Sequence, residues 1–84
     1  MERELFDKIM EKYGEVNQKR MLQEELAELI QAISKDCRGL QNNVEEEIAD
    51  VIVLLEQMRY IYSEALIKSY RDYKVERLRR KVEE

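Results

Sequence analysis

The chain has 84 residues, with no Pro, two Gly, one Cys, no His and a formal net charge of −4; 44% of it is hydrophobic and 40% charged. That mix excludes a disordered segment, where apolar residues are scarce, and points to one small all-α domain spanning residues 1–84. The missing His excludes His-ligated zinc, Glu-x-x-His di-iron bundles, Ser-His and Cys-His nucleophile pairs and His general bases, so any bound metal must favour oxygen.

The first stretch, "MERELFDKIM", is charged throughout and is not built like a signal peptide. Leu5, Phe6, Ile9, Met10 and Tyr13 follow at helical spacing over residues 2–13, and Gly14 supplies a C-terminal stop. A second helix is predicted from about Asn17 to Cys37, where Leu22, Leu26, Leu29, Ile30 and Ile33 form an amphipathic stripe. "DCRGLQNN" breaks the pattern, with Gly39 suited to ending that helix. Asn43 opens the third helix, and Glu46 three residues on completes a capping box with Asn in place of Ser or Thr. This helix carries Val44, Ile48, Val51, Ile52, Leu55, Met58 and Tyr62. The fourth runs from about Ser63 to Val82 through Leu66, Ile67, Tyr70, Tyr73, Leu78 and Val82, with a break near Ser63 or one long bent helix as the alternatives. No stretch approaches the roughly 20 apolar residues of a membrane span. With a lone Cys37 unable to form an internal disulfide, the expectation is a cytoplasmic protein that does not associate with membranes.

Acidic residues interrupt two of these apolar faces. With Leu22 set to zero and about 100° per residue, Glu25 falls near −60° and Glu28 near −120°, beside Met21 and Ala32. With Ile48 set to zero, Glu47 lies near about −100° and Asp50 near −160°, in the sector of Leu54, Met58 and Ile61. Glu45 and Glu46 point elsewhere, and at a helix start they favour the dipole. An isolated acid on a helix is ordinarily solvated. Four acids at i, i+3 spacing on the margins of two apolar stripes repel one another and lose hydration unless compensated. A divalent cation is the natural compensation, because Mg²⁺ prefers oxygen ligands and leaves positions for water and phosphate.

"EELAE" at 24–28 and "EIAD" at 47–50 together resemble the E-E-x-x-E … E-x-x-D signature of the MazG-like all-α nucleoside triphosphate pyrophosphohydrolases. That superfamily also holds the dimeric dUTPases and phosphoribosyl-ATP pyrophosphatase. "EKYGEVNQKRMLQEELAEL", "KDCRG" and "KVERLRRKVEE" are similar to the lead-in, basic-Gly loop and Lys/Arg-rich end of its small phage and bacterial members. The resemblance implies that Glu25, Glu28, Glu47 and Asp50 hold Mg²⁺, with Mn²⁺ as a substitute, and that Glu24 is a further ligand or the group that orients the attacking water. It also implies a helical bundle completed by a second protomer, as a dimer or a dimer of dimers. A lone chain of this length buries only about 60% of its unfolded surface, which favours the same conclusion.

Lys74 and Arg77, within a basic run of residues 71–81, are the candidates for neutralising substrate phosphates; the competing role is a solvated helix end whose cations favour the dipole. Gln18, two turns before Glu25, is a candidate substrate contact or a surface hydrogen bonder. Tyr60, Tyr62, Tyr70 and Tyr73 could stack on a base, but at helical spacing they suit a core or subunit interface better, and Cys37 has no activating base in sequence. Nucleic-acid binding is disfavoured by the net negative charge. The expected activity is Mg²⁺-dependent hydrolysis of a nucleoside triphosphate to the monophosphate and pyrophosphate. The rivals are a non-catalytic helical interaction module and a family member that binds nucleotides without turnover.

Overall fold

The computed structural model describes all 84 residues as four helices and no strands: α1 Arg3–Tyr13, α2 Glu15–Cys37, α3 Val44–Ile61 and α4 Glu64–Glu83. Gly14 stands between α1 and α2 at φ 87, a backbone state that costs a residue with a Cβ, so the chain turns there within a single residue. As a result α2 begins at Glu15, earlier than the expected Asn17. The break near Ser63 is present. Tyr62 leaves helical geometry, and the Ser63 hydroxyl accepts a hydrogen bond from the Leu66 N–H at 3.2 Å, as an N-cap should.

The six residues between α2 and α3 fold the two helices back on each other, and this hairpin is the core of the protomer. Ala32 from α2 and Val51, Leu54 and Met58 from α3 are buried there. α1 adds Phe6, which stacks on Tyr60 with ring centroids 4.8 Å apart and the Arg3 guanidinium over both rings. The Tyr60 hydroxyl donates to the Met1 carbonyl, and the Met1 amino group pairs with Glu56 at 3.3 Å, which fastens the start of α1 to α3.

The two helices do not meet along the centres of their aliphatic stripes. Leu26, Ile30, Ile33, Ile48, Ile52 and Leu55 all remain exposed, whereas Gln18, Glu47 and Gln57 are buried. The hairpin has closed on the edge of each stripe that carries polar groups, and the aliphatic edge faces outward. α4 buries no residue and leaves Leu66, Tyr70, Tyr73, Leu78 and Val82 exposed. The radius of gyration, 15.8 Å, exceeds the about 12 Å of a compact chain of this length. The protomer is therefore open, with much of its apolar surface still uncovered. No helix is long and apolar enough to cross a membrane.

Candidate functional site

The loop after α2 sets the level at which the two helices face each other. Gly39, at φ 72, closes α2 in a Schellman arrangement: the Leu40 N–H donates to the Lys35 carbonyl at 2.9 Å and the Gly39 N–H to the Asp36 carbonyl at 3.0 Å. Asn42 ties the loop together. Its Nδ2 donates to Asp36 Oδ1 and to the Leu40 carbonyl, both at 3.1 Å, while its Oδ1 accepts from the Val44 N–H at 3.2 Å.

The capping box expected between Asn43 and Glu46 does not form. Asn43 occupies the N-cap position without a side-chain cap bond, and its Nδ2 instead donates to Glu47 Oε1 at 2.9 Å. The Asn42 Oδ1 already accepts from the first free N–H of α3, and the Asn43 amide is free to donate to the Glu47 carboxylate, a charged and therefore strong acceptor. Asn43 thus becomes the residue that orients Glu47, a role its sequence position did not signal.

Glu47 is 7% exposed, on the face assigned to it from sequence. One oxygen is held by Asn43; the other, Oε2, is buried with no hydrogen-bond partner, as is Glu25 Oε2 across the hairpin. Glu25, Glu47 and Asp50 each bring a carboxylate oxygen to within 4.8 Å of the others. Oxygens sharing one octahedral Mg²⁺ at 2.0–2.1 Å lie about 3 to 4.2 Å apart, so a modest rotation of these side chains would close the set around an ion. Two buried oxygens without donors, beside a third carboxylate open to solvent, are oxygen donors of the kind a hard cation prefers.

The same crowding acts on Glu25. Loss of hydration raises its pKa to about 7, helped by the negative charges of Glu28, Asp50 and Glu47 around it. Glu25 is the member of the cluster that titrates near neutrality.

Not every residue expected at the site converges on it. Glu28 is exposed and reaches Glu25 through its charge rather than through the close set of oxygens. Glu24 is exposed and outside that set. Lys74 and Arg77 lie on α4, where Lys74 lines a shallow groove with Ile67, Tyr70 and Leu78 and the Arg77 guanidinium sits over Tyr73. No α4 residue lines the cleft beside the acids.

That cleft, of about 240 Å³, is lined by Gln18, Met21, Glu25, Asp50, Val53, Leu54 and Gln57. Gln18 belongs to it as a buried residue, 3% exposed, and its Nε2 has only the Met21 sulfur at 3.6 Å as an acceptor. The reading of Gln18 as a surface hydrogen bonder is corrected. Gln57, equally buried, went unnoticed in the sequence; its one signal was a polar residue at i+7 from Asp50 in an otherwise apolar sector. No family model, curated protein or solved structure matches this chain.

Proposed function

We propose that this chain is a Mg²⁺-dependent nucleoside triphosphate pyrophosphohydrolase of the MazG-like all-α kind. In the reaction water adds to the α-phosphorus, the bond from that phosphorus to the α,β-bridging oxygen breaks, and the nucleoside monophosphate and pyrophosphate leave. The observation that carries the reading is the pair of buried, donorless oxygens of Glu25 and Glu47 beside Asp50, at positions that match the acidic signature. Asn43 and the burial of Glu47 hold that carboxylate in place before any ligand arrives. Glu28 joins from the rim, and Glu24 orients water from outside the closest set. Bound among these carboxylates, Mg²⁺ or Mn²⁺ would supply positive charge to the phosphates and lower the pKa of water.

A second copy of the chain belongs to this reading. The exposed edges of α2 and α3 and the whole of α4 offer apolar surface for it to cover, as a dimer or a dimer of dimers. Lys74 and Arg77 lie away from the acids of their own protomer, so they meet substrate phosphates only across such an assembly. The same exposed surface favours a second reading, a helical interaction module without turnover. A response to Mg²⁺ separates the two.

The test combines turnover with stability. Purified protein incubated with a nucleoside triphosphate panel and Mg²⁺ should release pyrophosphate. Mg²⁺ should also raise the melting temperature of wild type but not of the Glu47→Ala, Asp50→Ala double variant, since a ligand held only by the folded state stabilises it. Pyrophosphate release by the double variant at the wild-type rate would refute the assignment. A wild-type melt that ignores Mg²⁺ leaves the interaction module.

A further inference from the structure

The cleft beside the carboxylates has a second polar end. Glu25 and Asp50 lie at one end of it, Gln18 and Gln57 at the other. Gln18 precedes Glu25 by two helical turns on α2, and Gln57 follows Asp50 by two turns on α3, which runs back the other way. Both carboxamides therefore sit at one level, about 10.5 Å along the helix axes from the acids and away from the loop. Met21, Val53 and Leu54 line the stretch between.

Gln57 is 4% exposed, and its Oε1 is buried with no hydrogen-bond partner. Opposite, the Gln18 amide has only a thioether as acceptor, which is a weak one. A buried acceptor without a donor destabilises a fold unless something supplies the donor. Gln57 lines the cleft, so a turn of its carboxamide would present this oxygen to a donor that arrives with a ligand. The ligand that suits this end carries an N–H next to an acceptor on a flat edge, with an apolar face to lie on Leu54 and Val53. A nucleobase has both features. The span back to the acids leaves room for a sugar, so the phosphates of the same molecule would lie at Glu25 and Asp50.

We propose that Gln57, assisted by Gln18, reads the base of the nucleotide, with Gln57 Oε1 accepting a hydrogen bond from an N–H on the base edge. This deepens the pyrophosphohydrolase reading and rests on it for the placement of the phosphates. Gln57 is a specificity residue, and the acids act on a part of the substrate it does not touch.

The ¹⁵N-labelled full chain, observed through the side-chain carboxamide signals of Gln18 and Gln57, provides the test. The probes are the four common 2′-deoxynucleosides and 2-deoxyribose, each at millimolar concentration and without phosphate. At least one deoxynucleoside should shift both carboxamides while 2-deoxyribose does not. Gln57→Leu replaces a donorless acceptor by an apolar group of similar size, so the fold should survive, and binding of that nucleoside should weaken at least about tenfold. Gln57→Met serves if the Leu variant fails to fold. Silence of both carboxamides with every nucleoside, equal shifts with 2-deoxyribose, or wild-type binding by the variant would each overturn the proposal. Titration of the same sample with Mg²⁺ keeps the two readings apart. Backbone shifts at Glu25, Glu47 and Asp50 beside silent carboxamides sink the base-reading role alone. Carboxamide shifts without any Mg²⁺ response sustain it and sink the metal site.

Discussion

If the acidic cluster takes Mg²⁺ as proposed, binding displaces a proton, and the amount follows from Glu25. Its pKa of about 7 leaves the carboxyl half protonated at neutral pH. A hard cation takes the carboxylate, so uptake should release about 0.9 proton at pH 6, about 0.5 at pH 7 and about 0.1 at pH 8. Apparent affinity scales with the ionised fraction, which makes binding about tenfold tighter at pH 8 than at pH 6. Calorimetric titration with Mg²⁺ in buffers of different ionisation enthalpy measures both quantities. Glu25→Gln should bind more weakly and abolish the proton release.

Without metal the sign reverses. The folded chain holds the Glu25 proton up to about pH 7, whereas the unfolded chain loses it near the ordinary value of 4.5. The folded state then binds more protons between these limits, so this group's contribution to stability is present at low pH and is lost as pH rises through 7. Metal-free melting temperatures should fall across that window, and saturating Mg²⁺ should stabilise more at pH 8 than at pH 6. Equal Mg²⁺ affinity at the two pH values, with no proton released at either, would refute the reasoning. It would mean that Glu25 is not a ligand or is not desolvated.

Glu47→Gln keeps the acceptor for Asn43 but loses a hard anionic ligand; pyrophosphate release should fall by at least about two orders of magnitude, roughly 2.7 kcal/mol of transition-state stabilisation, while the metal-free melt stays level or rises. Glu46→Gln, one residue away and exposed, should leave turnover near wild type, and equal losses at the two positions would show the face assignment to be wrong. Changing Lys74 and Arg77 together to Ala should impair turnover and leave Mg²⁺ stabilisation intact; unchanged kinetics would return them to a structural role. Light scattering at micromolar concentration should report a multiple of the 10.2 kDa chain, and Ile52→Lys, on the exposed aliphatic edge, should reduce that mass without loss of helicity.

The helices were legible because the three turns between them each carry a local device. Gly14 and Gly39 sit at positive φ where the chain must turn, and the Ser63 hydroxyl caps α4. The acids were legible in part: i, i+3 spacing places Glu47 and Asp50 on one side of α3 and both come near Glu25, whereas Glu28, at the same spacing from Glu25, stays exposed outside the set. Side-chain choices among adjacent candidates were less so. Asn42 and Asn43 are the same residue type, and nothing in their order tells which caps the backbone and which reaches Glu47.

Periodicity reports that a face avoids water; it does not say which neighbour covers it. The strongest aliphatic stripes, through Ile30 and Ile33 on α2 and through Ile48 and Ile52 on α3, looked like the core of the chain and lie outside it. Their exposure and the burial of Glu47 have one cause. Had the hairpin closed on Ile48 and Ile52, Glu47 and Asp50 would have turned outward and Glu25 would have lost its neighbours. Closing on the polar edges brings the three carboxylates together at the expense of leaving oxygens without donors. It also leaves the greasier edges free. A protomer folded this way has two unmet needs, charge compensation inside and apolar cover outside; in the proposed reading a cation answers the first and another copy of the chain the second. The two should therefore be separable by mutation: a change at Ile52 acts on assembly and a change at Glu47 on metal, with Mg²⁺ affinity per site surviving the former only if all ligands come from one chain. Loss of Mg²⁺ binding in a well-folded Ile52→Lys monomer would show that the partner contributes to the ion's shell.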